Sequence, residues 1–117
     1  MANAFKLKTF DGSSTAADTD MTIYTGKAST ETTIIGMSIA NITSSQITVD
    51  VKIESDTSDT ETNSNVFLIK DAPIPVGGTL VPVGGDQKVV IQATDVVKVQ
   101  CDTANAADTI MSILEIT

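Results

Sequence analysis

Residues 46–54, QITVDVKIE, alternate between apolar and polar side chains without a break. A period of two residues is typical of a β-strand that turns one face to a core and the other to water. The inward side of this strand is predicted to be aliphatic and β-branched, which suits a pleated sheet: Ile47, Val49, Val51 and Ile53. Such a strand needs a second apolar layer to cover it, so the chain must build a layered β structure.

Other short segments share this character, and each is bounded by Gly, Asp, Asn, Ser or Pro. We predict further strands at 4–10, 21–25, 32–41, 65–70, 87–92, 95–101 and 109–116. Windows of about 11 residues with helical periodicity do not occur. We therefore expect residues 1–117 to form a single all-β domain, an antiparallel β-sandwich of about eight short strands with jelly-roll or immunoglobulin-like topology.

Local turn chemistry adds three predictions. The segment NITSSQ lies between two strands, so 32–54 is expected to form a hairpin, with Gly36 at a bulge. The polar stretches 11–20 and 55–64 are expected to be exposed loops, so that residues 1–20 are an N-terminal strand followed by a loop. The repeated phrase in 73–86, PIPVGGTLVPVGGD, should form two tight turns around a short edge segment, because Pro lacks a donor and Gly allows positive φ.

These glycines do not predict a phosphate site. A phosphate-binding loop needs the amides of a helix that begins directly after the glycines. Here GGTL and GGDQ lead into strands. The repeated Pro-Val-Gly-Gly phrase is therefore predicted to have only a structural role, in turning the chain.

Charge and composition exclude several partners. The chain has seven lysines, no arginine, no histidine and 15 acidic residues, with a net charge of −8. Nucleic-acid affinity depends on Lys and Arg at the phosphates, so neither nucleic acid nor an anionic membrane is an expected partner. Hydrophobic residues make up 41% and aromatics 3%. We expect part of this aliphatic content to close a subunit interface, although a dry core alone would also account for it.

The available side chains point away from catalysis. Without histidine, neither Ser-His-Asp and Cys-His arrangements nor Cys/His zinc sites can form within the chain. Cys101 is alone, which excludes an internal disulfide, and it lies in a strand, so a buried thiol is expected. The chain has no Trp and one Tyr, so it offers few aromatic rings on which a sugar could stack. We expect a protein that is not an enzyme, with no catalytic or cofactor-binding residues.

Carboxylates are the remaining candidates for a site. Asp56, Asp59 and Glu61 could offer oxygens to Ca²⁺, but their spacing does not match a calcium-binding loop. We interpret them, and likewise Asp18 and Asp20, as solvated loop acids and predict no metal site. Four other acids stand at strand ends, where Asp accepts hydrogen bonds from turn amides: Asp86, Asp95, Asp102 and Asp108.

Targeting signals are not evident. No stretch approaches the ~18 consecutive apolar residues of a membrane span. The start, MANAFKLKTF, lacks the apolar segment of a secretory signal. We expect the protein to be made and kept in the cytosol, or to be released by a route other than signal-peptide secretion.

Three stretches resemble a known family. They are TTIIGMSIANITSSQITVDVKI (32–53), LIKDAPIPVGGTLVPVGGDQKVVIQATDVVKVQ (68–100) and the terminal IMSILEIT (110–117). Their order of turns and alternating strands resembles the small all-β virion structural proteins of tailed bacteriophages, including those that infect marine bacteria. The resemblance implies a non-enzymatic component of the particle exterior.

From this resemblance we expect an outer capsid decoration or accessory subunit, assembled in the host cytoplasm and present in the virion. It would form a homo-oligomer, with a trimer as the expected state, and dock on other virion proteins such as the major capsid protein. The alternatives are a tail, neck or baseplate component and, from a different class, a carbohydrate-binding module.

Overall fold

The computed structural model describes residues 3–55 and 63–117, and within them the chain is almost entirely β-structure. Its one helical turn there is a 3-10 helix at Gly12–Ser14, so nothing helical in this part is long enough to cross a membrane. The strands are β1 (Asn3–Phe10), β2 (Met21–Thr25), β3 (Glu31–Asn41), β4 (Ile47–Glu54), β5 (Val66–Ile74), β6 (Thr79–Val83), β7 (Val89–Ile91), β8 (Val96–Cys101) and β9 (Ala107–Ile116).

Two antiparallel sheets pack face to face. Sheet A has the order β1-β9-β3-β6, with β7 also paired to β3, and sheet B has the order β2-β8-β4-β5. The pairing is nested: β1 pairs with β9, β2 with β8, β3 with both β6 and β7, and β4 with β5. A long hairpin rolled into two sheets in this way is a jelly roll. The predicted all-β antiparallel sandwich is confirmed, and the jelly roll is the one of the two expected topologies that the strand order matches.

The core lies between the sheets and is built from alternate positions of each strand. Val49 and Val51 are fully buried, as the alternation predicts. Gly36 lies at a bulge, where the register between β3 and β9 shifts after Ile34. Strand β5 continues to Ile74, beyond its predicted end at Lys70.

The hairpin predicted for 32–54 is wrong, because β3 belongs to sheet A and β4 to sheet B. The buried side chain of Asn41 anchors the connection between them. Its Nδ2 donates to the carbonyls of Ser45 (2.8 Å) and Ile74 (3.0 Å), and its Oδ1 accepts from Thr43 N (2.9 Å). Turn residues predict a reversal equally well for a hairpin and for a crossing between sheets, so the sequence could not separate the two.

The repeated phrase forms two turns around an edge strand, as predicted, but the two copies act differently. The first copy turns at its own residues: Gly78 N donates to Pro75 O (2.9 Å), and Gly77 has φ +72°. The second copy turns later, from Gly84 to Gln87, and its Pro82 lies within β6. Because β6 is at the edge of sheet A, a residue without an amide donor is tolerated there.

The two stretches predicted to be exposed loops contain both exposed and buried residues where they are described. Residues 11–20 are largely exposed apart from Gly12 and the half-buried Thr15. In the second loop, Ser55 is buried, whereas Asn63 and Ser64 are exposed. The prediction for 56–62 lies outside the described residues.

Candidate functional site: the outer face of sheet A

The two outer faces of the sandwich differ in chemistry. On sheet B, charged side chains neutralise one another along neighbouring strands. Glu54 accepts from Lys98 Nζ (2.9 Å) and Lys52 Nζ (3.2 Å), and Asp50 pairs with Lys70 (3.4 Å). The hydrogen bonds from Lys98 and Lys52 hold the pKa of Glu54 below its usual value. The charged part of this face is a solvated ionic surface, and the exposed Phe67 lies beside it with Lys70 Nζ 4.9 Å from its ring centroid.

Sheet A presents an apolar outer face. Among its outward-pointing strand residues that the structure describes, only Glu31 and Asp108 are charged, and they lie at opposite ends of the strands, opposite Ile116 and Ala40. The large apolar side chains on this face are well exposed: Phe5 (78%), Leu7 (60%), Val90 (60%), Val81 (59%) and Ile110 (45%). We call this surface the apolar face.

Strand register places the outward side chains of the apolar face in adjacent rows, in which large apolar residues are interspersed with Ser, Thr and Gly. One row crosses four strands: Phe5 is opposite Leu114, which is opposite Thr33, which is opposite Val90. The next row in the same direction along β1 contains Leu7, Ser112 and Gly36, and the row after that contains Thr9, Ile110 and Ser38. Large contiguous apolar patches are rare on monomeric proteins and mark interaction surfaces.

Strand β1 explains why Phe5 and Leu7 face outward. Their neighbours Lys6 and Lys8 occupy the inward side, opposite the buried Ile113 and Met111 of β9. Lys8 Nζ lies over the ring of Tyr24, 5.8 Å from its centroid.

One of the two inward lysines, Lys6, pairs with a buried carboxylate. Glu115 is buried, and its carboxylate accepts from Lys6 Nζ (2.9 Å), Lys27 Nζ (3.2 Å) and the Tyr24 hydroxyl (2.8 Å). The Tyr24 hydroxyl also lies 2.8 Å from Thr32 Oγ1. Chiefly through the hydrogen bond from Lys6, the pKa of Glu115 falls to about 2. Burial raises the pKa of Tyr24. We call Glu115, Lys6, Lys27 and Tyr24 the Glu115 cluster.

A concavity of about 490 Å³ opens at one end of the apolar face. Thr9, Ile110 and Ala40 are among its lining residues. Thr109 also lines it, and its buried Oγ1 has no hydrogen-bond partner among the residues that the structure describes. The lining combines the apolar side chains of Phe10, Ala40 and Ile110 with polar ones that include the carboxylates Asp11 and Asp108.

The carboxylates considered for calcium are not gathered into a site. Asp56, Asp59 and Glu61 lie outside the described residues. Asp18 and Asp20 are exposed, and Asp20 pairs with Lys52 (3.4 Å). In the part of the chain that the structure describes, no group of three or more Cys, Asp or Glu side chains could hold a metal ion.

The strand-end acids act as predicted in three places. Asp95 Oδ2 accepts from Gln92 N (3.0 Å), which closes a turn, and Asp102 Oδ1 accepts from Thr48 N (3.0 Å). Asp108 Oδ1 accepts from Gly12 N (2.9 Å). The last two bonds join residues that are distant in the chain, so these acids tie connections to neighbouring strands. Asp86 is exposed.

Cys101 is buried, as predicted, and burial raises the pKa of its thiol. A protonated, buried thiol is a poor nucleophile. Cys101 therefore acts as a small apolar residue of the core.

Sequence reasoning did not find the apolar face. It expected some apolar content to close an interface but named no residues. The available signal was the terminal segment TIMSILEI, in which both alternating sets of positions contain apolar residues. A strand of this kind in a two-layer sandwich buries one set and exposes the other.

Comparisons with known proteins add little. No protein-family model matches the chain, and no curated protein sequence matches it significantly. One similar solved structure is described by the words "Bacillus endospore appendages form a novel family of disulfide-linked pili". It has 14% sequence identity and a TM-score of 0.49, and the match covers 97% of this chain and 84% of that one. A likeness at this level implies no shared role.

Proposed function

We propose that this protein is a non-enzymatic structural subunit of a bacteriophage virion, an outer capsid decoration or accessory subunit that stabilises the particle by docking on neighbouring subunits. The observation that carries the proposal is the apolar face, with Phe5 and Leu7 more than half exposed on an acidic chain. A large uncharged face of this kind is typical of a subunit that functions in an assembly.

The rest of the molecule is consistent with a scaffold role. Jelly rolls occur in viral capsid and lectin domains, although fold alone does not assign function. The acidity of the chain suits an exterior position better than contact with packaged nucleic acid. The carbohydrate-binding alternative loses support because Tyr24, the one tyrosine, is buried in the Glu115 cluster and cannot stack on a sugar.

A tail, neck or baseplate component would use the same face, so location on the particle is the decisive measurement. Immunogold labelling of virions with antibodies against the recombinant protein should decorate the head. When the recombinant protein is added to purified capsids that lack it, its binding should saturate at a fixed ratio to the major capsid protein. Labelling confined to tails would favour the alternative, and labelling of neither would contradict a virion role.

A further inference from the structure

We propose that the apolar face pairs with the same face of a second copy of this chain about a two-fold axis, so that the docking unit is a face-to-face dimer. The inference rests on the proposed function for its biological role, but it concerns contacts that the isolated protein can make by itself. A two-fold interface uses the same patch on both copies. A cyclic trimer needs two different complementary patches on each subunit.

Charge favours this face for self-association. With a net charge of −8, two copies repel each other when most of their surfaces approach. On sheet B, pairing would also withdraw Asp50, Glu54 and their lysine partners from water, which is costly. The three middle rows of the apolar face carry no charge, because Glu31 and Asp108 lie at the two ends.

The size of the face reaches the lower limit of a specific interface. Four strand positions at about 4.8 Å spacing and eight residues at about 3.4 Å rise give a footprint of roughly 500 Å². Two such faces in contact bury roughly 1,000 Å² or more, because a surface studded with side chains exceeds its flat footprint. A specific interface needs about 1,000 Å² in total.

The row pattern is self-complementary. A two-fold axis that crosses the strands at the row of Leu7 and Ser112 places the Phe5 row of one copy over the row of Thr9 and Ile110 of the other. The concavity lies at that second row. Phe5, which is 78% exposed, then lies over the partner's concavity, whose lining includes Ile110 and Ala40 as well as Asp11 and Asp108, and the arrangement repeats on the other side of the axis.

The test is the mass of the purified full-length protein by light scattering and sedimentation over a range of concentrations. We expect a dimer, twice the 12.2 kDa of the chain. Leu7→Asp places a charge at the axis in both copies and should weaken dimerisation at least ~100-fold. Val90→Asp, at the opposite edge of the face, should act in the same direction.

The matched control is Val76→Asp, because Val76 is 58% exposed but lies in the turn after β5, away from the apolar face. It should leave the dimer intact. Circular dichroism melting establishes whether each variant is folded. If Leu7→Asp does not fold, Val90→Asp provides the test of dimerisation. A monomeric or trimeric wild type would overturn the inference, as would folded face variants that dimerise like the control.

The two proposals fail separately. A monomer that still saturates capsids would overturn the dimer and leave the virion role in place. A dimer that binds neither capsids nor tails would support the pairing and contradict the virion role.

Discussion

Replacing Glu115 by Gln should destabilise the protein in a pH-dependent way. The substitution keeps the size of the side chain and an oxygen that can accept from the Tyr24 hydroxyl, which now lies 2.8 Å from Glu115 Oε2. It removes the negative charge that Lys6 and Lys27 contact at 2.9 and 3.2 Å. The two ammonium groups then face each other without an anion between them.

The magnitude follows from the pKa of Glu115, which falls from its usual 4.5 to about 2. At ~1.36 kcal/mol per unit, this shift corresponds to an upper bound of roughly 3 kcal/mol in the free energy of unfolding. Lys6 and Lys27 are 44% and 50% exposed, so water screens both pairs. We therefore expect a loss of about 1–2 kcal/mol at pH 7.

The sign of the pH dependence is set by the lowered pKa. A carboxyl that is more acidic in the folded state stabilises the fold fully above its unfolded pKa, and this contribution disappears as the pH falls through the folded pKa. The difference between wild type and Glu115→Gln should thus be largest above pH 4.5 and shrink toward zero near pH 2. Other carboxyls titrate in both proteins and cancel in the difference.

Urea unfolding followed by circular dichroism, repeated between pH 7 and pH 2, measures this difference directly. Glu31→Gln is the control, because it removes one negative charge from an exposed position of β3 and should change stability by less than about 0.5 kcal/mol. A Glu115→Gln deficit that stays constant from pH 7 to pH 2 would show that the cluster does not stabilise the fold through charge.

Three further predictions concern the core and its connections. Val51→Asp should abolish folding, seen as loss of the β-sheet circular dichroism signal, because it buries an unpaired charge at a fully buried position; an unchanged melting temperature would contradict this. Asn41→Ala should cost about 2–3 kcal/mol in urea unfolding, because it removes a buried hydrogen bond to the Ile74 carbonyl and the acceptor of Thr43 N; a loss below 0.5 kcal/mol, on the order of a surface substitution, would mean that water replaces the amide. Cys101 should react with a thiol reagent only as the protein unfolds, since burial raises its pKa; rapid labelling of the native protein would show that the thiol is accessible.

Local pattern was sufficient in β4, where the charged side of the strand is also the solvent side. In β4, Asp50 and Lys52 occupy one set of alternating positions, so the sequence predicts correctly that Val49 and Val51 are buried. Pattern was insufficient for the partners of β3 and β4, because the turn anchored by Asn41 joins strands of different sheets. Strand order depends on contacts far apart in the chain, which no local window contains.

The apolar face escaped prediction for a different physical reason. Alternation divides a strand into two sides but does not say which side is inward. In β1 the inward side carries Lys6 and Lys8, against the usual preference for buried apolar residues. The inward side of β1 is determined by its pairing with β9, in which Met111 and Ile113 are buried on the same side as Glu115.

A buried carboxylate needs cations close by, so β1 must present Lys6 to Glu115, and residues 5 and 7 must then point outward. The Glu115 cluster uses only alternate positions of β1, and it would be unchanged by polar side chains at the outward positions. The Glu115 cluster therefore does not account for apolar side chains at positions 5 and 7. A second copy that covers Phe5 and Leu7, as in the proposed dimer, would bury their exposed apolar surface.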